Sequence, residues 1–321
     1  MKRLFDTRRR GLALSCAGVL LLPAVTGAVA DEQSPPVFKA ETDVVNLTVT
    51  VRDADGHFVS NLAVEDFAIY EDGRLQPIQL FAPAAAPGDQ QALGLDLGLL
   101  VDTSASMAQH LKLSQEEAMR FLEAVPRARD LLTIFFDSDI RISRFDSEHQ
   151  QGLFERILDS KASGDTALYD AIAVYLSRAE DASGRKVLVL LTDGEDTRSS
   201  LTLSDLMQLV RSSRVTIYTI AFPGEYAPGS PRGASARAFM RGLAQMTGGD
   251  VFAPVTSKDL PRIYDKILDE LSAQYVLGFR SDNARRDGAY RKLRVELKRK
   301  ELRVRHREGY YAPADAGASG R

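Results

Sequence analysis

Five oxygen-bearing side chains mark where this chain could do chemistry. Asp102, Ser104 and Ser106 form an Asp-x-Ser-x-Ser run directly after the apolar stretch 95–101, Thr166 sits in Gly-Asp-Thr-Ala-Leu, and Asp193 follows the apolar stretch 187–192. In open α/β sheets, ligands bind beyond the carboxyl ends of the strands, so acids ending two apolar runs stand where a site is expected. All five groups offer only oxygen, which suits a hard divalent cation: Mg²⁺ first, with Mn²⁺ or Ca²⁺ as alternatives, rather than zinc or copper. Singly, each has a plainer task. Serine and threonine cap helices, and Asp193-Gly194 can be a turn. Five such groups at strand ends and helix starts point to a metal site.

Other candidates for chemistry fall away. Glu195 and Asp196 extend the acidic edge beside Asp193 and read as solvated loop residues. Asp53, Asp55 and Gly56 lack the later acids of a calcium loop and read as a turn. The four histidines, His57, His110, His149 and His306, sit in no hydrolase motif such as G-x-S-x-G. Ser183 and Lys186 match S-x-x-K, but in a loop leading into a strand. No phosphate-binding glycine loop follows any strand. Asp102 as a phosphoryl-accepting nucleophile lacks the second acid two residues on, where Ser104 stands. Binding is therefore expected rather than catalysis. Between residues 285 and 307 lie 11 Lys or Arg. Among them, Arg294, Lys298, Arg303 and Arg305 are spaced to share one exposed, solvated sheet face.

The elements that must position the five groups can be read from hydrophobic period. Continuous apolar runs at 95–101, 131–136, 187–192 and 215–222, with a weaker one at 250–253, alternate with helical patterns at 113–124, 167–178, 203–212, 236–246 and 260–271. That alternation predicts a mostly parallel sheet covered on both faces, with a hairpin at 137–139 adding one antiparallel strand. On either side the period is two. Residues 44–51 precede Asp55-Gly56, a strand pair brackets Glu71-Asp72-Gly73, and strands at 275–279, 293–297 and 302–304 include a turn at Asp287-Gly288. Two or three strands are not stable alone. The C-terminal strands are therefore expected to pair with the N-terminal ones, forming a β-sandwich-like domain from 36–82 and 275–312. The α/β domain, 92–273, is inserted into it behind a Pro- and Ala-rich linker at 82–91, and a disordered tail is expected at 313–321.

With its Asp-x-Ser-x-Ser loop, its threonine and its later aspartate in order, the chain resembles the von Willebrand factor type A (VWA) domains, specifically bacterial exported proteins of that class. The resemblance spans roughly 92–273. It implies a Rossmann-like α/β fold and a metal-ion-dependent adhesion site. In such a site the hydroxyls of Ser104, Ser106 and Thr166 touch the cation, while Asp102 and Asp193 act through bound water. A cation left under-neutralised in this way attracts an Asp or Glu carboxylate from a partner protein. The alternatives are a metal-independent scaffold in an envelope complex and, third, a hydrolase.

The N-terminus sets the compartment. MKRLFDTRRR, an apolar run of about 15 residues and Ala28-x-Ala30 have the three regions of a secretory signal peptide, 1–30, too short for a stable bilayer span. An exported, periplasmic or secreted protein is expected. The general secretory route is favoured over the twin-arginine route because Gly11 stands where an apolar residue is wanted, and lipidation at Cys16 is disfavoured by the short run before it. Cleavage after Ala30 leaves no cysteine. The 321 residues, 44% hydrophobic and 26% charged, exclude collagen-like and wholly disordered chains. The formal charge of −3 hides a basic leader; residues 31–321 hold 36 basic and 43 acidic side chains, which argues against a nucleic-acid partner.

Overall fold

The computed structural model describes residues 44–83, 94–125, 128–145, 150–179, 184–224 and 230–314. The signal segment, nearly all of the linker, Ser183, His149 and the chain beyond 314 lie outside them. In chain order the elements are β1 (Val44–Arg52), β2 (Phe67–Glu71), β3 (Arg74–Gln76), β4 (Ile78–Pro83), β5 (Leu95–Asp102), α1 (Ala108–Ala124), β6 (Ala128–Phe136), β7 (Ile140–Phe145), α2 (Gln150–Asp159) and α3 (Leu168–Ala179). There follow β8 (Arg185–Thr192), α4 (Leu203–Ser212), β9 (Val215–Ala221), α5 (Pro231–Thr247), β10 (Val251–Phe252), α6 (Leu260–Ala273), β11 (Tyr275–Arg280), β12 (Tyr290–Leu297), β13 (Arg303–Arg305) and β14 (Gly309–Tyr311).

The central sheet runs β10-β9-β8-β5-β6-β7, parallel throughout except for the edge strand β7. Its strands are apolar runs because both faces are covered: every residue of β5 and β9 is buried. Alternate side chains serve the two faces. Leu97, Leu99 and Val101 pack with Phe121 of α1 and Ile267 of α6, whereas Leu100 packs with Ile172 of α3 and Leu243 of α5. β5 comes first in this sheet yet lies between β8 and β6, so connections leave it in both directions. The carboxyl end of β5 is the topological switch point, the place where open α/β sheets bind ligands.

Gly98 is the close-approach point of this packing. A Cβ there would lie 2.0 Å from the Tyr175 ring, and that ring is pinned because its hydroxyl donates to the Val187 carbonyl at 2.9 Å. Gly98→Ala is expected to cost about 1–3 kcal/mol by overpacking, read as a lower denaturant midpoint at unchanged m-value.

The terminal strands form two antiparallel sheets, β13-β1-β11-β4 and β14-β12-β2-β3. Their inward faces share one core, in which Leu47, Val49 and Tyr275 of the first sheet meet Phe67, Ile69 and Val295 of the second. Three features differ from the sequence expectation. The strand expected after Gly73 is split at Pro77, whose missing N–H ends the pairing of β3 with β2 before β4 starts against β11. The Asp287-Gly288 turn, marked in the sequence, lies in the connection between β11 and β12, strands of different sheets. Ala314 bridges to Asp287, so the ordered chain runs past the predicted start of the tail. Arg305, expected on a solvated face, turns inward to Asp250 and the fully buried Glu270, because β13 is a short edge strand lying over α6 and β10.

Candidate functional site

Three loops at the carboxyl ends of β5 and β8 and the N-terminus of α3 carry the five candidate oxygen groups, and hydrogen bonds stitch the loops together. The loop after β5 accepts at the Thr103 carbonyl from the Ser163 N–H (2.8 Å) and donates from the Ala105 N–H to the Gly164 carbonyl (3.1 Å). The loop after β8 donates to the Thr166 carbonyl from the N–H groups of Thr197 (2.9 Å) and Arg198 (3.0 Å). The Thr197 hydroxyl accepts from the Thr166 N–H at 2.9 Å.

Asp102 ends β5 fully buried. Its Oδ1 accepts from the Ser104 N–H at 2.9 Å and its Oδ2 from the Thr192 hydroxyl at 2.6 Å. Burial pushes this carboxyl up to about 7. The hydrogen bonds from Ser104 and Thr192 resist that shift, and the charge of nearby Asp193 adds to it. Ser104 is buried and its Oγ lies 3.1 Å from the Ser106 Oγ. Ser104 occupies an N-cap position without bonding the turn it precedes, so the capping explanation does not account for its hydroxyl. Thr166 is buried two residues before α3.

Asp193 is also buried. Its Oδ1 accepts from the Glu195 N–H at 3.1 Å, while its Oδ2 is buried without a hydrogen-bond partner. An unsatisfied buried carboxylate oxygen costs more than most side-chain contacts return. Among the described residues no lysine or arginine pairs with Asp102 or Asp193. Two acids, three hydroxyls and no cationic side chain are a donor set that fits a hard divalent cation.

Several supporting residues were not singled out from the sequence. Thr192 joins the two acids, donating to Asp102 and accepting from the Gly194 N–H at 3.0 Å, while Gly194 takes the left-handed conformation the turn needs. Arg141 clamps Asp137 (2.6 Å) and donates to the Thr103 hydroxyl (2.9 Å), bracing the β5 loop from β7. Asp196 is more than a solvated acid: its Oδ1 accepts from the Tyr169 N–H at 3.2 Å and from the Ser199 hydroxyl at 2.5 Å, at the start of α3. The period of two or four residues carries no signal for any of these contacts. The His110 ring lies against that of Phe222, tilted at a centroid distance of 4.9 Å, and burial holds its pKa below the ordinary histidine value.

Away from this rim, Asp53, Asp55 and His57 gather ligand atoms within 4.8 Å of one another. There Asp53 Oδ1 accepts from the N–H groups of Asp55 (3.0 Å) and His57 (2.8 Å), the bonding of a tight turn.

A family model described as the von Willebrand factor type A domain matches residues 96–266, just over half of the chain. The chain belongs to that family. The VWA segment thus begins inside β5 and ends inside α6, and all five ligand candidates fall within it. The uncharacterized protein YwmC of Bacillus subtilis (strain 168) is 24% identical over 192 residues, covering 53% of this chain and 81% of its own. Among solved structures, a von Willebrand factor type A protein from Catenulispora acidiphila is 13% identical with TM-score 0.46, over 87% of this chain and 76% of its own. The vWF domain of the type V pili tip protein Mfa5 from Porphyromonas gingivalis is 12% identical with TM-score 0.43, over 55% and 94%.

Proposed function

We propose that this VWA protein is an exported binding module that captures an acidic side chain of a partner protein through a divalent cation. The observation that carries the reading is the buried, unpartnered Oδ2 of Asp193, in a cluster where a second buried acid and two touching serine hydroxyls also lack any positive charge. Ser104, Ser106 and Thr166 would hold the ion through their hydroxyls. Both oxygens of Asp102 already accept from protein donors, which suits it to act through water, as does Asp193. When bound, the ion supplies a Lewis-acidic position for an outside carboxylate. The protein's own part is to hold the three loops in register. The same reading treats 92–273 as a domain inserted between 36–82 and 275–312, and 1–30 as a cleaved export signal. Among the described residues no helix is long and apolar enough to cross a membrane.

Calorimetric titration tests the binding. Wild type is expected to bind Mg²⁺ or Mn²⁺, and Asp102→Ala to lose about a hundredfold in affinity, the upper end for a group that acts on the ion through bound water. At a hundred times the wild-type Kd, the ion should add about 2.7 kcal/mol to wild-type stability and only about 0.4 kcal/mol to the variant. A folded wild type that binds none of Mg²⁺, Mn²⁺ and Ca²⁺ would favour the metal-independent scaffold instead.

A further inference from the structure

The chain changes sheets between β13 and β14, and the strap that makes the crossing is held on both sides. β13 pairs with β1 in the first sandwich sheet, and β14 with β12 in the second. On the sandwich side, the Leu293 N–H donates to the Glu308 carbonyl (2.8 Å) and the Val295 N–H to Nε2 of His306 (3.0 Å). On the other side, the Glu308 N–H donates to the Met246 carbonyl (3.2 Å) and Arg305 Nε to the Gly248 carbonyl (3.1 Å), both at the C-terminal end of α5. The approach there is close: a Cβ on Gly248 would lie 2.7 Å from the Arg307 nitrogen and from the His306 carbonyl carbon. The strap 305–308 thus ties the sandwich to the α/β domain.

His306 is the titratable part of this joint. β14 pairs with β12 over Tyr290–Lys292, so the Val295 amide lies beyond that ladder and the imidazole ring supplies its acceptor. On the ring's other side, Nδ1 lies 2.6 Å from the Arg307 carbonyl. A carbonyl only accepts and a backbone N–H only donates, so the ring is neutral, with its proton on Nδ1 and a lone pair on Nε2. A second proton would keep the bond to Arg307 but turn an N–H toward the Val295 N–H. The plain explanation is a half-buried histidine filling a bonding position. An amide oxygen would fill it equally well at any pH, whereas imidazole ceases to accept between about pH 7 and pH 5.

Charged side chains flank these contacts on the neighbouring elements. They are Arg307 and Glu308 on the strap itself, Arg305 and Arg52 with their shared partners Asp250 and Glu270, and Arg294 and Glu296 of β12, which pair with each other. Arg211 and Arg214 stand near Arg307 at the end of α4, and Met246, Thr247 and Gly248 at the end of α5 carry no charge. Loss of hydration holds the ring below the ordinary histidine value, against the bond to Arg307 and the charge of Glu308, which favour the proton.

We propose that His306 is an acid-sensitive latch, holding the strap between the sandwich and α5 at neutral pH and releasing it on protonation. Because the folded ring titrates below the ordinary value, its hold is fully present above about pH 6.5 and is lost as the pH falls toward the folded pKa. The cation site takes no part in this.

Hydrogen exchange of the full chain in chelator, read residue by residue between about pH 5 and 7 and corrected for the intrinsic exchange rate, is the test. The amides of Val295 and Glu308 should keep a steady protection above about pH 6.5 and lose up to about tenfold for each pH unit below it, as one proton is taken up on opening. The amides of β5 should not follow, which separates release of the strap from global unfolding and from titration of His110. His306→Gln keeps an acceptor for the Val295 N–H but gains no proton, and should flatten both profiles whatever its overall stability. If that variant does not fold, NMR titration of the wild-type ring decides: His306 should carry its proton on Nδ1 at neutral pH and titrate below about 6.5. A ring titrating at or above that value, Val295 protection indifferent to pH, or a slope retained in His306→Gln would overturn the proposal.

Discussion

Removing residues 275–312 is expected to leave a chain whose N-terminal strand region is unfolded and aggregates. β11 lies between β1 and β4, and β12 between β14 and β2, so the cut takes the middle of both sandwich sheets. β1 and β4 are left without neighbours and β2-β3 as an isolated hairpin, which is marginal in water. Eight of the fourteen buried apolar residues of that core go with them, Tyr275, Leu277, Phe279, Leu293, Val295, Leu297, Leu302 and Tyr310. At roughly 1.5–3 kcal/mol for each side chain buried, the loss is about 12–24 kcal/mol, as large as or larger than the 5–15 kcal/mol that holds a typical domain folded. Circular dichroism and sedimentation of the truncated chain would read this directly. A soluble product melting at the wild-type midpoint would show that the N-terminal strands do not depend on the C-terminal ones.

The second large effect concerns the ion network beneath α6. Glu270 is fully buried and accepts from the Tyr218 hydroxyl (2.7 Å), the Thr50 hydroxyl (2.9 Å), Arg52 (3.0 Å) and Arg305. Arg305 also meets Asp250 at 2.6 Å. Burial works against the charge on Arg305, but Glu270 and Asp250 outweigh it and hold its pKa above the ordinary guanidinium value. Arg305→Met leaves a buried carboxylate with one cation instead of two, and is expected to cost about 3–5 kcal/mol. Combining it with Glu270→Leu should recover part of that loss, because it removes the under-paired buried carboxylate while leaving the hydroxyls of Tyr218 and Thr50 without their acceptor. Chemical denaturation of the two variants separates the cases; equal destabilisation in both would mean that packing, not charge, is what Arg305 supplies.

What the sequence discloses follows from which signals are local. The apolar runs of β5, β8 and β9 are legible because burial on both faces leaves no alternation to disguise them, and α4 falls where its period places it, Leu203–Ser212. The five oxygen groups are legible because each stands at the end of such an element. α2 is not, since Gln150, Gln151 and Gly152 open it with residues that signal a loop. The inward turn of Arg305 is equally hidden, because Glu270, Asp250 and Arg52 are each distant in sequence and a basic residue on an edge strand otherwise belongs in water. The same holds for Thr192. Its bond to Asp102 spans 90 positions, and only the pairing of β5 with β8 brings the two strand ends side by side.

Anomalous diffraction from crystals grown with Mn²⁺ tests the central claim most directly, because it places the ion rather than inferring it from heat. A peak among the hydroxyls of Ser104, Ser106 and Thr166, absent from Asp102→Ala crystals, is the predicted result. Saturating Mn²⁺ that leaves that rim without a peak, or that gathers only at Asp53, Asp55 and His57, would contradict it.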